Sequence, residues 1–192
     1  MLHQIISLIR EHADETIINN PDVPNEHNEA VVAEAGNSIT GTLQSMLAGG
    51  QAKDVLSLFN TTPENLNSNP AVQQVSGNFM SGIMEKFGIS SSQAMSIASG
   101  LMPMVLGKLV SRTNNPADNG FQIQDIFNQL SNNKTSGIDI SGLLSKVGGS
   151  GMDKDGDGDV DLNDLTVAFS GTGASGQGGG LMDTITGMFK AK

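Results

Sequence analysis

The amino-acid sequence predicts an all-α protein built as a multi-helix bundle. Three observations lead to this prediction. Apolar residues recur at three- and four-residue spacing nearly throughout the first 147 positions, which is the periodicity of an amphipathic helix. Proline, paired glycine and serine stand between these stretches, where they act as helix stop and start signals. The hydrophobic fraction is 37% and 24 of the 192 residues are glycine, which indicates a compact core interrupted by flexible stretches.

The first two predicted helices are separated by prolines. Residues 2–18 place Leu, Ile and Ala at helical spacing, so one helix is expected there. Two prolines in the segment 19–25 end it, because proline lacks a backbone donor and disfavours helix in the residue before it. A second helix is expected from about residue 26 to Ala48, where a glycine pair stops it.

The next two helices are marked by proline and glycine. A short third helix has its apolar face within 55–59, and a polar link rich in Asn and Thr follows over 60–69. Pro70 suits the first turn of a fourth helix, because the first turn needs no backbone donor at that position. This helix is expected to end at Gly88.

A fifth helix is predicted to follow a run of three serines. The serines at 90–92 offer an N-cap, and the helix reaches about Val110. Pro103 lies inside it and should bend it near Gly100.

The chain is predicted to divide into three parts. Short helices at 121–130 and 138–147 complete a helical domain over residues 1–147. Residues 148–170 carry an Asp-rich loop and an exiting helix. Residues 171–192 join a Gly-rich tether to a small amphipathic helix.

A weak internal repeat relates the second helix to the fourth. Five residues recur after 41 positions, and small residues are prominent among them, so we expect two similar helix pairs with close helix approaches. Chance similarity between helices is the alternative. The first copy is Ala30-Val31, Gly36-Asn37 and Gly41, and the second is Ala71-Val72, Gly77-Asn78 and Gly82.

The Asp-rich segment 153–164 matches a twelve-residue EF-hand-type calcium loop. Calcium takes six to eight oxygen ligands, which such a loop supplies from positions 1, 3, 5, 7, 9 and 12 around a glycine at position 6. Gly158 stands at position 6, and the apolar Val160 at position 8. The predicted metal ligands are Asp153, Asp155, Asp157, Asp159 (through its carbonyl), Asp161 and Asp164. A solvated acidic linker is the alternative interpretation of this charge run.

Two features separate this loop from a calcium sensor. Asp164 replaces the commoner Glu at position 12, so bidentate coordination is in doubt and weaker calcium binding or a preference for magnesium is expected. The glycine-rich stretch 148–151 interrupts the entering helix, and no second loop is present for pairing. The loop therefore resembles the single calcium loops of dockerin-type modules and is predicted to act as a structural clip.

Charge and composition exclude several other functions. The net charge is −10, and the six Asp and one Lys of the loop contribute −5 of it. The ten basic residues are scattered, so nucleic acid is not an expected partner. Cys is absent, which excludes disulfides, Cys-ligated zinc and a Cys nucleophile. No signal sequence is recognised, and no window approaches the ~20 apolar residues of a membrane helix. A cytoplasmic protein without a membrane span is expected.

No catalytic constellation stands out in the sequence. His3, His12 and His27 lie near the N-terminus, and two of them could share a metal, but without i, i+4 pairing surface positions are favoured. The five Met from Met80 to Met104 are expected to fill the core, although Met-rich faces also suit partner binding. Enzyme activity is not expected.

Residues 1–147 also carry stretches that resemble a known family. These stretches are Asn69-Pro70-Ala71-Val72, Gly77, Phe79, Met84-Glu85-Lys86-Phe87-Gly88, the segment 97–103 and the segment 123–130. They resemble the YidB-like group of uncharacterised bacterial helical proteins. The resemblance implies an all-helical fold and a bacterial source, and it implies no activity.

The sequence thus predicts a non-enzymatic, calcium-binding structural or interaction protein. Calcium, or magnesium, would order residues 150–170, and the helix at 181–190 would dock on another copy or another protein, because its apolar face is too small to be stable alone. The alternative is a calcium-stabilised subunit of a homopolymeric envelope or extracellular assembly. Both hypotheses predict a protein partner or self-association, with a homo-oligomer as one form.

Overall fold

A computed structural model describes residues 2–147 except 22, 134, 136 and 138. The Asp-rich loop, its exiting helix, the tether and the terminal helix, all predicted within 148–192, lie outside the described residues. The described α-helices are α1 (Leu2–Arg10), α2 (Asn28–Ala48), α3 (Ala52–Phe59), α4 (Pro70–Phe87), α5 (Ser91–Thr113), α6 (Ile123–Leu130) and α7 (Ile140–Val147). Within these ranges the chain forms no strand, which confirms the all-α multi-helix prediction.

The bundle is organised around α4. This helix packs extensively against both α2 and α5, while α1 lies against α2 and also touches α5. Val75, Phe79 and Ile83 of α4 are fully buried between these neighbours. The shorter helices α3 and α6 pack against α2, and α7 packs against both of them. The rings of Phe59 on α3 and Phe127 on α6 meet with centroids 5.6 Å apart.

The prediction of one continuous helix over 2–18 is wrong. α1 ends at Arg10, and the chain resumes as a π-helical turn over Asp14–Ile18. Between them the N–H of His12 donates to the carbonyl of Ile9, three residues back, at 3.0 Å. The N–H of Ile18 then donates to Ala13, five residues back, also at 3.0 Å.

The spacing of the apolar residues explains this break. Positions separated by four residues drift by roughly 40° per step around an α-helix of 3.6 residues per turn. A tight turn followed by a wide turn removes that drift and keeps every fourth residue on the core side. Four such residues are all fully buried: Ile5, Ile9, Ala13 and Ile17.

The boundaries of α4 and α5 follow the signals in the sequence. The side chain of Asn69 accepts a hydrogen bond from the N–H of Ala71 at 2.9 Å and so caps α4. Gly88 ends α4 with φ +66°, a left-handed conformation that favours glycine. Ser90 and Gln93 form a reciprocal capping box that starts α5.

Other predicted boundaries agree within a few residues. α2 begins at Asn28 after a 3-10 turn over Asn25–His27 and ends before Gly49. The link predicted over 60–69 contains a 3-10 helix at Pro63–Ser68, which the polar composition of the link did not indicate. Leu66 supplies the apolar contact that holds this turn on the core.

α5 is long and apolar enough to cross a membrane by length and composition alone. Half of that apolar stretch is buried inside the bundle, as in the core helix of a globular domain. Pro103 lies within this helix. The absence of a membrane span therefore stays a prediction.

The glycines of the internal repeat do not all mark close helix contacts. A Cβ atom on Gly36 would lie 2.8 Å from Cγ1 of Ile6, so α1 and α2 meet closely there. Gly82 faces the carboxylate of Glu34 across the α2–α4 contact. Gly41 and Gly77 have no neighbouring atom within 4 Å of such a Cβ. Close approach therefore accounts for one glycine in each copy of the repeat.

Candidate functional site

The six Asp residues predicted to bind metal all lie outside the described residues, so the calcium site stays a prediction. They are Asp153, Asp155, Asp157, Asp159, Asp161 and Asp164. Within the part of the chain that the structure describes, no group of three His, Asp or Glu side chains is placed to hold a metal ion. His27 instead lies against the ring of Phe87, with ring centroids 5.4 Å apart.

The last described helix leads toward the predicted loop and is attached to the domain by hydrogen bonds. The side-chain amide of Asn60 donates to the backbone carbonyl of Leu144 at 2.6 Å, which joins α7 to the end of α3. The N–H of Ile140 donates to the side-chain oxygen of Gln124 at 3.2 Å. Asp139 accepts from the N–H of Gly142 at 2.9 Å, in the first turn of α7. The helical domain thus fixes α7, and six positions separate Val147 from Asp153.

A polar cleft between α2 and α4 is the most distinctive site among the described residues. It measures about 300 Å³, which is at the lower end of the range for small-molecule sites. Every lining residue is polar or glycine, although the cleft lies over the central helix contact of the bundle. The lining residues are Glu34, Asn37, Ser38, Gly41, Thr42, Ser45 and Asn78.

Glu34 is the charged residue of this cleft. It is 8% exposed, and one carboxylate oxygen, Oε2, accepts a hydrogen bond from Nζ of Lys86 at 2.5 Å. A Cβ on Gly82 would overlap the other oxygen, Oε1, so glycine at this position makes room for the carboxylate. Lys86 keeps 56% of its side chain exposed, so Glu34 is held at the rim between core and solvent.

Two buried hydroxyl residues on α2, Ser38 and Thr42, form a polar row with Glu34. Ser38 is 9% exposed and Thr42 is 5% exposed. Thr42 Oγ1 accepts a hydrogen bond from the side-chain amide of Asn78 at 2.9 Å, which ties α4 to α2. Glu34, Ser38 and Thr42 are spaced by four residues and therefore share one helix face.

The sequence of α2 carries a signal for this cleft. The face of α2 that packs on α4 interrupts its apolar residues with the polar row at every fourth position. A buried helix face normally carries apolar residues there, because an unpartnered buried polar group is costly. Such a conflict between burial and polarity is the expected mark of a functional position.

A second polar cluster joins α5 to the segment before α6. Nε of Arg112 donates to Asp118 at 2.7 Å, and its guanidinium carbon lies 4.1 Å from the centre of the Phe121 ring. The hydrogen bond from Arg112, together with one from the N–H of Gly120, holds the pKa of the Asp118 carboxyl below its ordinary value of 3.8, although desolvation opposes the shift. Gln4 of α1 donates to the carbonyl of Gly120 at 2.6 Å. These contacts fix the loop between α5 and α6.

The methionines predicted to fill the core divide into two groups. Met102 is fully buried, and Met80 and Met84 pack at the edge of the core. Met95 on α5 is 59% exposed, so core filling does not account for it.

Comparison with known proteins gives no match to this chain: no family model, no curated protein and no solved structure is detectably similar to it. The resemblance of residues 1–147 to the YidB-like group therefore stays a prediction from the sequence.

Proposed function

We propose that this chain is a non-enzymatic calcium-binding protein of structural or interaction type, possessing one metal loop at residues 153–164. The proposal rests on the match between the order of residues 153–164 and the order of positions in an EF-hand-type calcium loop. Acidic residues occupy all six ligand positions, and glycine occupies the turn position, of a twelve-residue loop. A solvated acidic linker does not require acidic residues and glycine at these particular positions.

Electrostatics supports a divalent ion at this place. Six carboxylates within twelve residues repel one another, and one calcium or magnesium ion offsets that repulsion. Binding of the ion would then order residues 150–170 next to a domain whose last described helix, α7, accepts a hydrogen bond from Asn60 and donates one to Gln124. The loop would act as a clip for the C-terminal segment.

Calorimetric titration of calcium and of magnesium tests the proposal. The wild-type chain should bind one calcium ion with a measurable heat. The double variant Asp153→Ala/Asp164→Ala should show none, because it loses the first and last ligands of the shell. A matched control removes two exposed carboxylates from the helical domain, Glu11→Ala/Glu85→Ala, and should bind like the wild type. Lack of calcium heat in the wild type, or equal heat in the loop variant, contradicts the proposal.

The alternative, a calcium-stabilised subunit of a homopolymer, predicts a different response to metal. Size-exclusion chromatography with light scattering, in calcium and in a calcium chelator, separates the two. A clip within one chain leaves the molar mass unchanged, and docking of the C-terminal segment on a second copy raises it by a small integer factor. A large assembly that dissolves in chelator supports the alternative.

A further inference from the structure

The polar row of α2, which consists of Glu34, Ser38 and Thr42, has no counterpart in the other copy of the internal repeat. The internal repeat relates each residue of the row to the residue of α4 that lies 41 positions later. These three residues of α4 are apolar and fully buried. Three apolar side chains on α2 would bury more hydrophobic surface and leave no polar group to satisfy. The corresponding pairs are Glu34 and Val75, Ser38 and Phe79, and Thr42 and Ile83.

Polar atoms that reach the surface of the cleft retain unused hydrogen-bonding capacity. Among the described residues, the hydroxyl of Ser38 makes no hydrogen bond, although the residue is more than nine-tenths buried. Thr42 accepts from Asn78 but donates to no described group. Oε2 of Glu34 accepts a hydrogen bond from Lys86, whereas Oε1 of Glu34 accepts none from the described residues. These atoms belong to residues that line the same cleft.

The chemistry of the lining selects a positively charged donor. The free groups are a carboxylate oxygen, hydroxyl oxygens and carboxamide oxygens, and Glu34 is the charged residue among them. A primary ammonium carries three donors and a positive charge, and its bond to a carboxylate is charge-assisted. The chain as a whole has a net charge of −10, which attracts cations to it.

We propose that the α2–α4 cleft binds the primary ammonium group of a small organic amine. Glu34 Oε1 accepts one N–H, Ser38 Oγ and the carboxamide oxygen of Asn78 accept the others, and Lys86 remains on Oε2. A hydroxyl next to the ammonium on the ligand accepts from Thr42. This site is independent of the metal loop, because every residue in it belongs to the helical domain.

NMR titration with ethanolammonium chloride at constant ionic strength tests the site. The side-chain amide signals of Asn37 and Asn78 should shift together and saturate, with a Kd of about 1 mM for so small a ligand. Tetramethylammonium matches the charge but has no N–H donors, and ethylene glycol has no charge. Both should bind at least about tenfold more weakly, which is the loss of one charge-assisted hydrogen bond.

Substitutions separate binding from folding. Ser38→Ala should weaken ethanolammonium binding by about tenfold while the urea midpoint stays level or rises, because the hydroxyl has no partner in the fold. Glu34→Gln keeps the size of the side chain and should reduce binding by more than tenfold. Ser96→Ala on the exposed side of α5 is the matched control and should leave both quantities unchanged.

A second ligand distinguishes the source of the ammonium. N-acetyl-lysine methylamide presents the same group as a protein lysine does. Tighter binding than ethanolammonium assigns the cleft to a lysine of a partner protein, and weaker binding assigns it to a free amine. The proposal is overturned if neither amine gives saturable shifts, if tetramethylammonium or ethylene glycol binds as tightly as ethanolammonium, or if Ser38→Ala leaves the affinity for ethanolammonium unchanged.

Discussion

The buried side chain of Asn69 connects α3, the turn that follows it and α4. Its oxygen caps α4 through the N–H of Ala71, while its amide donates to the hydroxyls of Ser57 at 3.1 Å and Thr61 at 2.9 Å. The residue is only 6% exposed, so water cannot replace all three bonds. The end of α3 and the start of α4 therefore share a polar anchor inside the core.

Replacing this anchor tests its contribution. Asn69→Ala should lower the free energy of unfolding by about 2–3 kcal/mol, from the lost cap and the two lost side-chain bonds. Urea unfolding followed by circular dichroism measures it. Asn67→Ala, an exposed neighbour, should change the free energy by less than about 0.5 kcal/mol. A similar loss in both variants would show that Asn69 is not an anchor.

Asp118 makes a pH-dependent contribution to stability. Because its pKa is depressed in the fold, its contribution is fully present above the unfolded-state pKa of about 3.8 and is lost as pH falls from there through the lower folded pKa. Asp118→Asn should thus be less stable than the wild type at neutral pH, and the difference should shrink in acid. Urea midpoints between pH 2 and pH 7 measure this. A difference that is constant with pH would contradict the assignment.

At the scale of elements, two glycines of one helix have opposite roles. Gly77 lies inside α4 with open space where a Cβ would be added, whereas Gly88 ends the same helix at φ +66°. Gly77→Ala should stabilise the protein by about 0.5–1 kcal/mol through helix propensity. Gly88→Ala should destabilise it by about 1 kcal/mol, because alanine is strained in the left-handed region. Thermal unfolding of the two variants gives the comparison, and the same sign for both would contradict it.

The elements that the sequence predicted best are those with chemical boundary signals. Pro70, Gly88 and Ser90 placed α4 and α5 closely, because each signal satisfies or removes a specific backbone group. The helix over 2–18 was mispredicted because a four-residue apolar spacing fits both a continuous helix and one interrupted by a wide turn. Only the packing of Ala13 and Ile17 on the core decides between them.

The cleft was harder to predict than the helices. Glu34, Ser38 and Thr42 look like an exposed polar face when α2 is considered alone, since surface helices carry such rows. Their burial depends on α4, and in particular on the space that Gly82 leaves for the Glu34 carboxylate. The polar row is visible in the sequence of α2, but local periodicity does not encode the contact with a distant segment that buries it.

At the scale of the whole molecule, charge is divided unevenly between the parts of the chain. Residues 171–192 contain two Lys and one Asp, a net charge of +1, which leaves −11 on residues 1–170. The terminal segment is thus electrostatically suited to an acidic surface of the same chain type. This charge supports the prediction that the segment 181–190 docks on another copy or on a protein of similar charge.

Removal of this segment tests the docking. A chain truncated after residue 170 should keep the helical circular-dichroism signal of the domain and should lose any self-association that the full chain shows in calcium. Light scattering at matched concentrations measures the molar mass of both. The double variant Lys190→Gln/Lys192→Gln should weaken association in low salt. Unchanged molar mass after truncation would rule out docking on a second copy.

The central claim is that residues 153–164 bind one divalent metal ion. Native mass spectrometry of the full chain after exchange into calcium measures this most directly, because it counts bound ions per molecule. The account predicts one calcium ion on the wild type and none on Asp153→Ala/Asp164→Ala, while the Glu11→Ala/Glu85→Ala control retains one. A wild-type chain without bound calcium, or a loop variant that still carries it, would contradict the account.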